Sequence, residues 1–213
     1  RRSYSVNCRH CHKELACQMI DLDFAPPSNA YLNFEDLKKS EAYFPLRIYV
    51  CDNCWLVQTE DYANSDQYFT EDYAYFSSTS QSWLEHAKKY CDMIIDRLNL
   101  DESTFVVEIA SNDGYLLKNF CSSGIPCLGI EPTASTARAA LDLGIPVVQE
   151  FFSKNFVENV YDNEKADLII GNNVYAHVPN INDFTLGMKS LLKENGTITL
   201  EFPHLLKLIK DNQ

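Results

Sequence analysis

A chain of 213 residues, 46% apolar and 23% charged, has room for one large core, or for one core and a small module. Its 18 basic and 30 acidic residues give a net charge of −12, which leaves no electrostatic footprint for nucleic acid. No apolar run approaches the roughly 20 residues that span a bilayer, and no signal-peptide pattern is present, so no membrane partner is expected.

Residues 1–70 are expected to form a small metal-binding module. Cys8-Arg9-His10-Cys11 opens it and Cys51-Asp52-Asn53-Cys54 answers. Two residues between thiolates place both sulfurs on one side of a tight knuckle. Two such knuckles make Cys8, Cys11, Cys51 and Cys54 the candidate ligands of one Zn2+ ion, in a closed four-sulfur shell with a structural role. His10 and His12 flank the first knuckle and are expected on the surface. The insert between the knuckles is longer than usual and should carry strands near 18–22 and 45–50, with a rigid loop over 26–32. The other four cysteines, Cys17, Cys91, Cys121 and Cys127, are scattered, so a reduced, cytoplasmic protein is expected rather than a disulfide-linked one.

Residues 71–103 should connect this module to the next. Asp72-Tyr73-Ala74-Tyr75-Phe76-Ser77-Ser78-Thr79-Ser80 is aromatic and rich in hydroxyls. It precedes apolar residues at 83, 84, 87, 90, 91, 94, 95 and 98, which is helical spacing. Ser78, Thr79 and Ser80 are reasonable caps for that helix.

From residue 104 to 213 short apolar runs alternate with helical segments, the pattern of a parallel sheet with covering helices. Strands are predicted at 104–109, 126–130, 146–149, 166–171 and 196–201. Helices are predicted at 115–122, 134–143, 153–160 and 181–193, with a last one from Leu205. The first strand carries Glu108 and runs into Ala110-Ser111-Asn112-Asp113-Gly114, a tight turn that would present N–H groups to a ligand. Glu108 followed by Ala110, Asn112 and Gly114 at alternate positions resembles the cofactor loop of class I S-adenosylmethionine (SAM) methyltransferases, acid-x-Gly-x-Gly-x-Gly. Asn tolerates a left-handed turn and Ala allows close backbone approach. Glu131, followed by Pro132, ends the second strand, where a carboxylate can accept hydrogen bonds from both hydroxyls of a ribose. Phe152 lies after the third strand as a candidate adenine wall. Asn172, Asn173, Tyr175 and His177 follow the fourth, beyond the carboxyl end where such sheets bind ligands. His177 can accept a proton near neutral pH.

The zinc knuckles, the Tyr73-x-Tyr75-x-Ser77-Ser78 stretch, Glu108 to Gly114, Gly129-Ile130-Glu131-Pro132, Asn172 to Pro179, and Glu201-Phe202-Pro203-His204-Leu205-Leu206 occur in this order. Together they are similar to the sugar C-methyltransferase family, whose members carry an N-terminal zinc-binding domain. The resemblance implies the class I methyltransferase fold, SAM and Zn2+ as cofactors, and a nucleotide-linked keto-deoxysugar as substrate. It places Tyr75 and Ser78 over the cofactor. It also implies removal of a proton alpha to the keto group, after which the enolate takes the sulfonium methyl. The family's Tyr-His-Glu-His segment, thought to supply the base, is not found, so the chain is expected to be a C-terminally truncated SAM-binding fragment with little or no turnover. Only His177 and Tyr175 remain as candidates to meet the sugar. Two other readings are an NAD-dependent sugar-nucleotide oxidoreductase or epimerase, for which the loop is poor in pyrophosphate-binding glycines, and a non-catalytic zinc-containing interaction module. The oligomeric state is left open.

Overall fold

The computed structural model describes residues 6–28, 31–60, 76–162 and 164–212. The chain packs as two compact units, the first running to Tyr75 and taking in Pro179–Asn182, the second made of Phe76–Val178 and Asp183–Gln213.

In the first unit, β1 (Cys17–Ala25), β2 (Phe44–Val50) and β3 (Val57–Thr59) form an antiparallel sheet in that order. The two predicted strands are present and longer than their apolar runs. β3 is an addition: three residues leaving the second knuckle carry too little alternation to be read as a strand. β1 pairs with β2 through breaks in register between Gln18 and Ile20 and between Asp21 and Phe24. The buried centre of the unit is Cys8, Cys51 and Leu15, with Val6, Tyr49 and Leu56 against them.

The second unit opens with α1 (Gln81–Leu98), capped by the Ser80 hydroxyl, which accepts from Trp83 N–H, and closed by Asn99 in the left-handed region. The predicted stripe faces inward, with Ala87, Cys91 and Ile94 buried. The parallel sheet has the order β6-β5-β4-β7-β8, from β4 (Val106–Ile109), β5 (Cys127–Ile130), β6 (Val147–Val148), β7 (Ala166–Asn172) and β8 (Leu192–Glu201). Between the strands run α2 (Leu117–Ser122), α3 (Ala134–Asp142), α4 (Lys154–Asn159) and α5 (Ile181–Leu191), and α6 (Leu205–Asp211) follows β8.

Alternate residues of the central strands feed two cores, as a sheet covered on both faces requires. Val106, Leu168 and Ile170 pack with Ala87, Cys91, Leu117 and Phe120 on one face. Val107, Ile109 and Ile169 pack with Phe156, Phe184 and Met188 on the other. β4, central and fully buried, therefore delivers its carboxyl end and the loop after it to the middle of the sheet rim. No described helix is long and apolar enough to cross a membrane.

Candidate cofactor site and metal centre

The loop after β4 turns left at each slot the sequence marks. Ala110, Asn112 and Gly114 have φ of 58°, 51° and 77°. A side chain at Gly114 would also collide, since a Cβ there would stand 2.4 Å from Ile145 Cδ1. Close approach recurs one strand over, where a Cβ on Gly129 would lie 2.3 Å from Ser111 Oγ. The turn is pinned to β5 by Ala110 N–H donating to the Ile130 carbonyl at 2.8 Å.

Glu131 is 4% exposed and turns into this loop. Its Oε2 accepts from Asn112 N–H and its Oε1 from Thr133 N–H, each at 2.9 Å. A carboxylate oxygen accepts more than one hydrogen bond, so Glu131 keeps acceptor capacity for a diol. Glu108 is buried beside it. Burial first, then the neighbouring carboxylates of Glu131 and Asp113, push Glu108 well above the usual carboxylate range. Among the described residues, Glu108 Oε2, Ser111 Oγ and Asp113 Oδ1 are buried atoms with no hydrogen-bond partner. These buried oxygens beside the turn leave hydrogen-bonding capacity that a bound ligand can engage.

The other sequence candidates fall in different places. Asn172 is half-buried at the end of β7, where its side chain meets the hydroxyl of Tyr115. Asn173 is exposed, left-handed at φ 52°, and its N–H donates to the Glu201 carbonyl at 2.7 Å. Pro132 is half-buried beside Glu131. Ser78 is exposed, and it is its backbone N–H that reaches the loop, donating to Asp113 Oδ2 at 3.0 Å. Tyr75 lies outside the described residues. Phe152 and Tyr175 belong to an aromatic cluster on the other face of the sheet. Phe152 stands edge-on to Phe184 at 5.0 Å, and the Tyr175 hydroxyl pairs with Thr185 Oγ1 at 2.9 Å. His177 is exposed in a short 3-10 turn. The rim holds further polar residues that the sequence reading did not single out: Ser77, Asp113, Tyr115, and His86 paired with Glu201 at 2.8 Å. Ser77 and Asp113 stood inside motifs already quoted; His86 and Glu201 are brought together only by the fold.

The metal centre is built from two matching knuckles. In each, the residue after the second cysteine is left-handed, His12 at φ 62° and Trp55 at φ 64°. Its N–H donates back to the carbonyl of the first cysteine, Cys8 or Cys51, at 2.9 Å. This curl brings Cys8 Sγ within 3.6 Å of Cys54 Sγ, and Cys11 Sγ within 3.5 Å of Cys51 Sγ. All four sulfurs lie within 4.8 Å of one another. A tetrahedral zinc with Zn–S bonds near 2.3 Å needs sulfurs about 3.8 Å apart, so the set fits. His10 and His12 are exposed, and neither joins the cluster. Gln58 Nε2 donates to Cys8 Sγ at 3.2 Å, the kind of outer contact that orients a metal ligand. Burial works against a Cys8 thiolate, but N–H donors from Cys11, Gln58 and His10 outweigh it and hold the thiol at about 6.

A five-stranded parallel sheet with a left-handed, acid-flanked loop after its central strand, beside a four-cysteine cluster, defines a class I SAM-dependent methyltransferase with a zinc-binding module. Comparison with known proteins agrees. Residues 83–212 match the "Methyltransferase domain" family, and residues 8–69 match the "Putative zinc binding domain" family. The chain belongs to this methyltransferase family. It is 30% identical over 207 residues to C-methyltransferase NovU of Streptomyces niveus, covering 97% of this chain and 49% of that protein. The chain thus spans about half the length of the curated relative it matches. Among solved structures, the PH0226 protein of Pyrococcus horikoshii OT3 shares the fold, with a TM-score of 0.55 at 15% identity over 67% of this chain and 70% of that one.

Proposed function

We propose that the protein transfers a methyl group from SAM to a carbon of a nucleotide-linked keto-deoxysugar, the carbon alpha to the keto group, made nucleophilic by loss of its own proton. The observation that carries the reading is the loop itself: three left-handed slots whose middle N–H is tied to Glu131, beside the buried carboxyls of Glu108 and Asp113. Carbon as the acceptor is supported by the likeness to a C-methyltransferase, and the sugar nucleotide by the order of motifs along the chain.

When bound, SAM supplies an electrophilic methyl group. In this reading Glu131 holds the ribose diol, while Ala110, Asn112 and Gly114 let the backbone approach the amino-acid half. Glu108, Asn172 and Asn173 line the crevice. Pro132 and Phe152 flank the adenine. Ser78 covers the cofactor, and the family resemblance gives Tyr75 the same role. Of the two residues proposed to face the sugar, exposed His177 is better placed to move a proton than Tyr175, whose hydroxyl is already engaged by Thr185. The protein's contribution is orientation and stabilisation of the enolate charge. The zinc centre, with four protein ligands, keeps its module folded and takes no part in the chemistry.

Titration calorimetry of the chain with SAM, S-adenosylhomocysteine and NAD tests the cofactor. Binding of the two adenosyl compounds and loss of both in Glu131→Ala is the expected result; binding of NAD alone overturns the reading. A panel of keto-sugar nucleotides with the protein and SAM then tests the acceptor. SAM binding with no methyl transfer across that panel would favour an interaction module.

A further inference from the structure

The middle slot of the cofactor loop holds Asn112 where the resembled pattern has glycine, and tolerance of a left-handed φ explains only its backbone. Its side chain has a separate task. Asn112 Oδ1 accepts from Ser77 N–H at 2.9 Å, and the neighbouring Asp113 Oδ2 accepts from Ser78 N–H at 3.0 Å. Those two N–H groups open the 3-10 turn Ser77–Thr79, whose N-cap residue, Phe76, offers no side-chain cap. The first N–H groups of such a turn have no partner within it and must find one elsewhere. Ser77 is 7% exposed and Asp113 3%, so the contacts are made largely out of water.

We infer that the Asn112 carboxamide and the Asp113 carboxylate are positioning residues that latch residues 77–80 onto the cofactor loop, so that turn and loop form one wall of the SAM site. The inference rests on the reading of that loop as the SAM site. One hydrogen bond further on, Asn112 N–H donates to Glu131 Oε2. A single residue therefore ties together the turn, the loop and the carboxylate assigned to the ribose. Releasing the side chain would free residues 77–80 and loosen Asn112 where its own N–H orients Glu131.

Asn112→Gly separates the two roles, because glycine adopts the left-handed turn more easily but cannot hold Ser77. A bare turn would be unharmed or improved; a latch would be lost. Ser77→Pro removes the same hydrogen bond from the other side, its ring taking the space that Asn112 Oδ1 now fills, a space that Asn112→Gly leaves empty. Phe76 is extended at φ −107° and ψ 118°, which suits a following proline, and the first position of a turn accepts one. The readouts are amide exchange over residues 76–80 and SAM affinity by calorimetry. Both single variants should weaken SAM about tenfold, the equivalent of one net hydrogen bond of roughly 1.4 kcal/mol. Each should speed exchange at 78–80, and the double variant should be no weaker than either single one. Asp113→Asn, which keeps an acceptor, should exchange like wild type, whereas Asp113→Ala should not. Unchanged exchange in Asn112→Gly, or additive losses of affinity in the double variant, overturns the latch. A wild-type protein that ignores SAM overturns the cofactor reading instead, and the exchange arm still decides whether the latch exists.

Discussion

Ala110 is poorly suited to its own backbone. At φ 58° its Cβ crowds the following carbonyl, a strain of about 1–2 kcal/mol for an L-residue. Ala110→Gly should relieve it, less glycine's extra unfolded-state entropy, for a net gain of up to about 1 kcal/mol and a melting temperature a few degrees higher. Four positions on, the sign reverses. Gly114→Ala meets both a positive φ and the Ile145 side chain, so the variant should lose about 2 kcal/mol or more in urea unfolding. Equal responses at the two sites would mean that strain does not govern the loop. Glu108 supplies a prediction in pH. The folded chain keeps its proton through a range in which the unfolded chain, near 4.3, has already released it. Its contribution to stability is thus full in acid and falls as pH rises toward the raised folded value. Glu108→Gln abolishes that fall, so the variant should gain on wild type as pH rises above the usual carboxylate range. Parallel stability profiles in that region would place Glu108 in water instead.

At the scale of elements, α1 is fastened to the edge strand β8 by two polar pairs. Tyr90 bonds Thr199, and one helical turn earlier His86 bonds Glu201, two residues further along the same face of the strand. Burial pushes the Tyr90 hydroxyl well above its ordinary range, so it stays neutral and can donate. Tyr90→Phe and Thr199→Val should each cost about 1–2 kcal/mol, and the double variant clearly less than their sum, because one substitution already leaves the other partner unpaired. Strict additivity in denaturant titrations would dissolve the pair. Neither contact was legible in the chain, since residues 86 and 201 meet only once the sheet has formed. What periodicity does show is each strand and helix of the parallel sheet, because an apolar run between turn residues has few other uses. It missed the start of β8, where Lys193, Glu194 and Asn195 are polar although Leu192 already pairs with Ala166. In the loop, Asn112 and Gly114 announced left-handed backbone. That Ser77 rather than Ser78 is the buried member of its pair is a tertiary fact with no local signal.

Across the whole molecule the two units are held together by different physics. The second unit buries apolar clusters on both faces of its sheet, and its described residues hold no cluster of metal ligands. Among the described residues the first buries Cys8, Cys51 and Leu15 with Gln58 beside them, and its β1 leaves Met19, Ile20, Leu22 and Phe24 exposed. A unit this small rarely draws more than about 3–5 kcal/mol from its core, whereas a four-thiolate zinc site supplies roughly 10–16 kcal/mol at pH 7. The knuckles are the fold of that unit rather than an ornament on it. Chelation should therefore erase one calorimetric transition and leave the other within a few degrees. Cys51→Ser should do the same without chelator, and zinc readdition should restore only the chelated wild type. The thiolate shell adds a pH limit, because protons compete for sulfur and the metal-dependent transition should vanish first on acidification. If both transitions survive prolonged chelation with the zinc content at zero, the four sulfurs are a consequence of the fold of the first unit and not its cause.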